Sequence, residues 1–136
     1  MKVFFVGIHN KPDMVPLDSC SRSGKLVDKI IRQLRGHECI KTNLYMDANA
    51  MLRRAEGSVK RWAEENGYDA QADIIVTLGG FIRKEFRMAG YREIVSLIHP
   101  ASVWSNNEKL GYVMRATDKI NEAINQKNNQ SNNHGK

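Results

Sequence analysis

Four short apolar runs divide the chain, and a turn or loop signal follows nearly all of them. The runs cover residues 3–6, 39–44, 74–78 and 93–98, of which 3–6 is continuously apolar and 39–44 contains three polar residues. Continuous apolar runs of this length are typical of strands that are buried on both faces of a parallel sheet. Glycine or proline comes within two residues of the end of three of these runs, and both residues interrupt strands. Each run therefore predicts one strand.

The segments between the runs carry apolar residues at helical spacing. This pattern predicts helices over residues 24–34, 47–66, 81–89 and 108–126. Ser23 is the expected N-terminal cap of the first helix, and Gly57 predicts a kink or break in the second. In the last helix the predicted buried face comprises Leu110, Val113, Met114, Thr117, Ile120 and Ile124.

Strict alternation of strands and helices predicts an α/β domain with a parallel sheet and helices on both faces. Ligands bind beyond the carboxyl ends of the strands in such sheets, so the candidate segments are 7–22, 43–47, 79–81 and 99–107. The end of the chain, 127–136, is polar, rich in asparagine and low in complexity. We therefore predict one domain at 1–126 followed by a disordered tail.

Composition changes this picture mainly through charge. The 136 residues are 41% hydrophobic and 26% charged, and their net charge of +6 favours a polyanionic partner. No apolar run approaches the roughly 18 residues that a membrane span needs, and the first run is too short for a signal peptide. The sequence predicts a cytoplasmic protein with no membrane partner. Cys20 and Cys39 have no metal-ligand spacing, so we expect free thiols, no metal and no cofactor.

Polar or flexible residues lie where three of the predicted strands end. Gly7 lets the backbone approach a ligand, although a plain turn has the same sequence. Asn43 carries an amide that donates and accepts together, as reading a nucleobase edge requires; a local turn is the alternative. His99 either donates from a fixed nitrogen, acts as an acid or base, or is satisfied by the backbone.

Two further features lie near these ends. Arg22, Ser23, Gly24 and Lys25 begin the first predicted helix, where backbone amides attract anions and the two cations favour phosphate. Ordinary capping with solvated charge is the alternative there. For Trp104 the favoured interpretation is packing over the last helix, as expected of a bulky aromatic residue. Stacking on a nucleic-acid base is the alternative.

Taken in order, these pieces resemble the uracil-DNA glycosylase superfamily, closest in layout to its compact thermophile-type branch of bacteria and archaea. The matching pieces are KVFFVG with its loop to Pro12, SRSGKLVDKI, KTNL, DIIVTLGG and IVSLIHPAS, and the resemblance as a whole covers roughly residues 2–126. The resemblance implies a three-layer α/β/α fold with a four-stranded parallel sheet in the order 2-1-3-4. It implies a DNA glycosylase of base-excision repair, which flips a damaged base out of single- or double-stranded DNA. We expect a monomer.

The resemblance also assigns roles to single residues. Asn43 matches the asparagine that reads uracil. His99 matches the histidine that donates to the uracil carbonyl and stabilises the leaving anion. Either His9 or Asn10 positions the attacking water, which adds to the sugar as an oxocarbenium-like state develops.

The remaining assignments concern binding. Gly7 and Ile8 open the loop that lines the pocket, and Ser102 belongs to the histidine motif. Leu17 is the bulky residue nearest to the position of the family's base-stacking phenylalanine. The stretch at 22–25 would contact DNA phosphate.

Departures from the family pattern define the alternative functions. The first loop reads Gly-Ile-His-Asn-Lys-Pro with its proline displaced, the histidine motif reads His-Pro-Ala-Ser, and the iron–sulfur cysteines are absent. A non-catalytic nucleic-acid or nucleotide-binding module on the same fold is the second hypothesis. An N-glycosidase acting on free nucleosides or nucleotides is the third.

Overall fold

The computed structural model describes residues 1–9, 21–45 and 57–134. Several predictions from the sequence fall elsewhere. Asn10 and Leu17, the thiol of Cys20, and the first half of the helix predicted over 47–66 all lie outside the described residues.

Four parallel strands form one sheet. They are β1 (Lys2–His9), β2 (Glu38–Tyr45), β3 (Ile74–Leu78) and β4 (Ile94–Leu97). Their order is β2-β1-β3-β4, and every neighbouring pair is parallel. The predicted α/β class and the strand order 2-1-3-4 are confirmed.

The first two strands are longer than the apolar runs that predict them. β1 continues through Gly7 to His9, and pairing continues with it, Gly7 opposite Asn43 and His9 opposite Tyr45. Gly7 and Ile8 therefore belong to the sheet and do not begin a loop, and Asn43 lies two residues before the end of β2. The first run ends at Val6 because Gly7 interrupts the apolar pattern, but backbone pairing continues past it, since a strand ladder does not require an apolar side chain at each position.

Four α-helices and one short 3-10 turn complete the described fold. The helices are α1 (Arg22–Gln33), α2 (Ser58–Asn66), α3 (Gly80–Met88) and α4 (Asn106–His134), and the 3-10 turn is Pro100–Ser102. Gly57 has a left-handed φ of 76° immediately before α2. An α-helix does not continue through that conformation, so α2 begins at Ser58; the part of the predicted helix before Gly57 lies outside the described residues.

The cap of α1 is Ser21, and the prediction of Ser23 is wrong. The Ser21 side chain accepts from the Gly24 N–H at 2.9 Å. Ser21 has extended backbone angles, as a cap requires, whereas Ser23 already lies within the helix. The start of α1 is thus two residues earlier than predicted.

Helices pack on both faces of the sheet. One face buries α1 and α4 against Val3, Phe5 and Val76, and the other buries α2 and α3 against Phe4 and Ile75. Each large apolar side chain buried in this way contributes about 1.5–3 kcal/mol.

The face that packs α2 and α3 is aromatic. The Trp62 ring meets Phe4 and Phe86 edge-on, at 5.4 and 5.2 Å between ring centres. Its indole N–H donates to the Thr42 hydroxyl at 2.9 Å, so this buried polar atom is satisfied. These contacts tie α2 to the two strands on that side.

Helix α4 corrects two predictions. Leu110 and Met114 are 63% and 59% exposed, so they are not part of the buried face, although Val113, Ile120 and Ile124 are. The helix also continues to His134, so the predicted end near Gln126 is wrong and residues 127–134 of the predicted disordered tail are helical. The Lys127 ammonium donates to the Ala70 carbonyl at 2.5 Å, a long-range bond that holds this part of the helix against the domain.

Among the helices of the described ranges, none is both long enough and apolar enough to cross a membrane.

Candidate functional site at the carboxyl edge of the sheet

The strand register places the predicted site residues along one edge. Gly7 stands opposite Asn43, and Leu78 opposite Leu97, in the same row of the sheet. His99 follows two residues after this row. The three steps from β2 to β4 separate Asn43 from Leu97, the residue two before His99, by about 14 Å at the backbone.

Asn43 lies on the α1 side of the sheet. Lys41, two residues earlier on the same strand, forms an ion pair with Asp28 of α1, and side chains two apart on a strand share a face. The half-buried Asn43 has Gly7 as its partner in the next strand, so no side chain projects from β1 at that position.

His99 is held in one tautomer. Its Nδ1 accepts from the Ala101 backbone N–H at 3.0 Å, which requires Nδ1 to be unprotonated. The proton of the neutral ring is therefore on Nε2. Partial burial lowers the pKa of His99 below its ordinary value, which favours this neutral form. His99 thus presents an N–H donor of fixed orientation.

Three hydrogen bonds to backbone carbonyls position the segment that carries His99. The Tyr112 hydroxyl donates to the Ile98 carbonyl at 2.8 Å. The Gly79 N–H donates to the Leu97 carbonyl at 2.8 Å, and the Ser102 N–H to the His99 carbonyl at 2.9 Å. Together they fix both sides of the histidine.

Gly79 lies beside the His99 side chain. A Cβ at this position would lie 3.4 Å from the His99 Cβ and 3.6 Å from its Cδ2, and the φ of +100° strains any other residue. The sequence marks Gly79 as the end of β3, but its contact with His99 depends on β3 and β4 being neighbours. Gly79 is a positioning residue that sequence reasoning misses.

Arg22 and Trp104 form a stacked pair at the same edge. The guanidinium carbon lies 3.6 Å from the centre of the Trp104 ring, and an Arg22 amino group donates to the Val103 carbonyl at 2.8 Å. Trp104 is 72% exposed, so the favoured prediction that it packs over the last helix is wrong. Arg22 Nε is buried and has no hydrogen-bond partner within the described ranges.

The other residues predicted to bind phosphate differ in whether an anion could reach them. The Gly24 N–H is used by the Ser21 cap, whereas the Lys25 side chain is exposed and Ser23 is half-buried. These two remain accessible to an anion.

The structure does not bring all of the predicted residues together. Ile8 packs with the aromatic cluster on the α2 and α3 side, away from Asn43. Ser102 is exposed in the 3-10 turn. His9 is placed only as the residue opposite Tyr45 at the end of β1.

Within the parts of the chain that the structure describes, no three histidine, cysteine or acidic side chains lie close enough together to hold a metal ion. The thiol of Cys39 is free and half-buried, and burial raises its pKa.

Comparison of the chain with protein-family models, curated proteins and solved structures found no match. The case for a function therefore depends on the chemistry of this edge.

Proposed function

We propose that this chain is a uracil-DNA glycosylase-like protein, which binds a base flipped out of DNA at the carboxyl edge and hydrolyses its N-glycosidic bond. The observation that carries the proposal is the hydrogen bond between the Ala101 N–H and His99 Nδ1. It leaves Nε2–H as a neutral donor at the edge where ligands bind in parallel sheets.

A neutral donor suits the departure of a base. When the bond between the sugar carbon and the base nitrogen breaks, its electron pair moves onto the base and reaches the carbonyl oxygen. A preorganised N–H next to that oxygen stabilises the developing charge. Partial burial lowers the pKa of His99 and so favours the neutral ring, in which Nε2 carries the one proton available for donation.

Asn43 supports base recognition. Its amide offers one acceptor and two donors, which matches the alternating carbonyl and N–H groups of a uracil edge. Gly7 beside it leaves the neighbouring strand without a side chain. A site that hydrogen-bonds both kinds of group discriminates strongly against bases with the wrong pattern.

The Arg22–Trp104 pair supports a nucleic-acid partner. An exposed tryptophan with its ring held by a guanidinium offers an aromatic surface on which a base can stack, a contact that contributes about 1–3 kcal/mol per base. The net charge of +6 favours the same partner. Water addition at the sugar carbon completes the proposed reaction, with His9 or Asn10 as the candidates to position it.

The test is a base-release assay on single-stranded and duplex oligonucleotides that contain one uracil, with thymine-only oligonucleotides as the control. We expect abasic product only from the uracil substrates. Base-dependent binding without abasic product over a wide enzyme range would overturn the proposal in favour of a binding module. Release of base from free nucleosides alone would overturn it in favour of a small-molecule N-glycosidase.

A further inference from the structure

Helix α3 carries an exposed row of cations that the proposed site does not use. Arg83, Lys84 and Arg87 line an open groove on the helix together with Gly80 and Met88. All three basic side chains are exposed. We call Arg83, Lys84 and Arg87 the basic stripe.

The basic stripe forms no salt bridge within the described ranges, and its three cations outnumber the one acidic residue of α3, Glu85. The salt bridges found there join Lys41 to Asp28, Arg61 to Glu65, and Lys127 to Glu93, and none reaches α3. The first turn of α3 contains no acidic residue. Arg83 and Arg87 are four residues apart, a spacing at which like charges repel on a helix. An external anion would relieve this repulsion.

The position of the basic stripe connects it to the candidate site. Helix α3 begins at Gly80, directly after Gly79, whose backbone borders the His99 ring. With a rise of about 1.5 Å per residue, the basic stripe extends about 6 Å along the helix axis. Successive phosphates of one DNA strand are about 3.4 Å apart along its axis. With its axis along the DNA axis, the stripe is thus long enough for two consecutive phosphates.

We propose that the basic stripe binds consecutive phosphates of the DNA strand whose base is held at the carboxyl edge. This inference rests on the proposed nucleic-acid partner but not on base excision. The observations favour DNA over a lipid surface, because Met88 is the one large apolar side chain exposed on α3. Membrane-binding helices need a broad apolar face.

The test compares two triple variants with the same change of net charge. Arg83→Gln/Lys84→Gln/Arg87→Gln removes the basic stripe. Arg35→Gln/Arg92→Gln/Lys119→Gln removes two arginines and one lysine that are also exposed but lie outside α3 and the carboxyl edge. Glutamine keeps the helix propensity close to that of arginine and lysine, and thermal melts check that both variants fold.

The probe is a fluorescein-labelled oligonucleotide of about 20 nucleotides without uracil, single-stranded or duplex, titrated by anisotropy at several salt concentrations. Each phosphate contact contributes about 0.7–0.9 to the slope of log K against log salt concentration. We expect the stripe variant to lose about two units of slope, and the control variant less than one. At low salt, the stripe variant should bind DNA at least tenfold more weakly than the wild-type protein, and the control variant should not.

The possible failures are distinguishable. Equal losses in both variants would overturn the role of the stripe and leave the proposed function intact. No DNA binding by the wild-type protein at low salt would overturn the nucleic-acid partner and the stripe together. Stripe-dependent binding to phosphatidylserine vesicles, with DNA binding unaffected by the stripe variant, would assign the surface to lipid and overturn the inference.

Discussion

The two edges of the sheet use their polar residues differently. At the amino edge, the buried Asp73 carboxylate accepts the Lys2 N–H at 2.9 Å and the Asp69 N–H at 3.0 Å. The Lys127 ammonium donates to the Ala70 carbonyl and lies 3.8 Å from Glu93. These polar groups join segments that are distant in sequence.

At the carboxyl edge the polar groups are oriented by the fold but only partly used by it. His99 Nδ1 accepts a hydrogen bond from the Ala101 N–H, and no hydrogen bond of its Nε2 is found among the described residues. Arg22 Nε is buried without a partner there, and Trp104 is mostly exposed.

Stability and ligand chemistry are thus separated between the two edges of the sheet. Saturated polar groups stabilise a fold because removing one partner leaves the other buried and unpaired. Oriented groups with spare capacity are available to a ligand. Substitutions at the two edges should therefore affect different measurements.

The largest effect is expected for His99→Ala. Losing one oriented donor to the leaving base should lower the rate of uracil release by about tenfold to a thousandfold, measured as abasic product at saturating enzyme. His37→Ala is the matched control, since His37 lies in the turn before β2, far from the carboxyl edge. Equal rates in the two variants would contradict a catalytic role for His99.

The next effect is expected at the amino edge. Asp73→Ala leaves two backbone N–H groups without their acceptor, so the free energy of unfolding should fall by about 2–4 kcal/mol, measured by urea denaturation. Asp69→Ala is the control, because its side chain accepts only the exposed Gln71 N–H among the described residues, and it should lose much less. Glycosylase activity per folded molecule should stay unchanged in both, and a specific loss of activity in Asp73→Ala would break the separation between edges.

A smaller, double effect is expected for Gly79→Ala. The positive φ of +100° should cost about 1–2 kcal/mol of stability. The backbone shift that relieves this strain should move the new Cβ, which lies 3.4 Å from the His99 Cβ, and so misplace the His99 ring and lower activity about tenfold. Gly36→Ala has a similar φ of +87° with open space around it, so it should lose stability but keep its activity. The two variants together separate backbone strain from the positioning of His99.

The smallest effect concerns pH. Because burial lowers the pKa of His99 in the folded protein, the unfolded chain takes up the proton more readily as pH falls. The stability gained from the neutral ring should be complete above about pH 6.5 and lost as pH falls below that value. The difference in unfolding free energy between wild type and His99→Ala should thus shrink between about pH 7.5 and pH 5. A difference that grows over that range would contradict the lowered pKa.

Much of the fold is predictable because its signals are local. The runs at 3–6 and 74–78 are buried on both faces, so their strands follow from composition alone. Gly57 indicates where α2 begins because a glycine adopts the left-handed backbone conformation seen there without help from a distant residue. The strand order was implied by the resemblance and not by the apolar pattern.

What the sequence missed depends on contacts between distant residues. The extension of α4 relies on Lys127 reaching Ala70, and the exposure of Trp104 goes with its stacking on Arg22. Leu110 and Met114 fit the helical period of the buried face but lie toward its margin. In the candidate site, Asn43 and His99 were identifiable as polar residues near strand ends, whereas Gly79 becomes visible only once β3 and β4 are adjacent.

The most direct test of the central claim is a 15N–1H NMR measurement of the His99 ring with and without oligonucleotide. At neutral pH we predict the neutral tautomer with its proton on Nε2, and a shift of that signal when a uracil-containing oligonucleotide is added but not when its thymine counterpart is. A proton on Nδ1, or a signal that is indifferent to uracil, would contradict the proposal that His99 donates to a bound base.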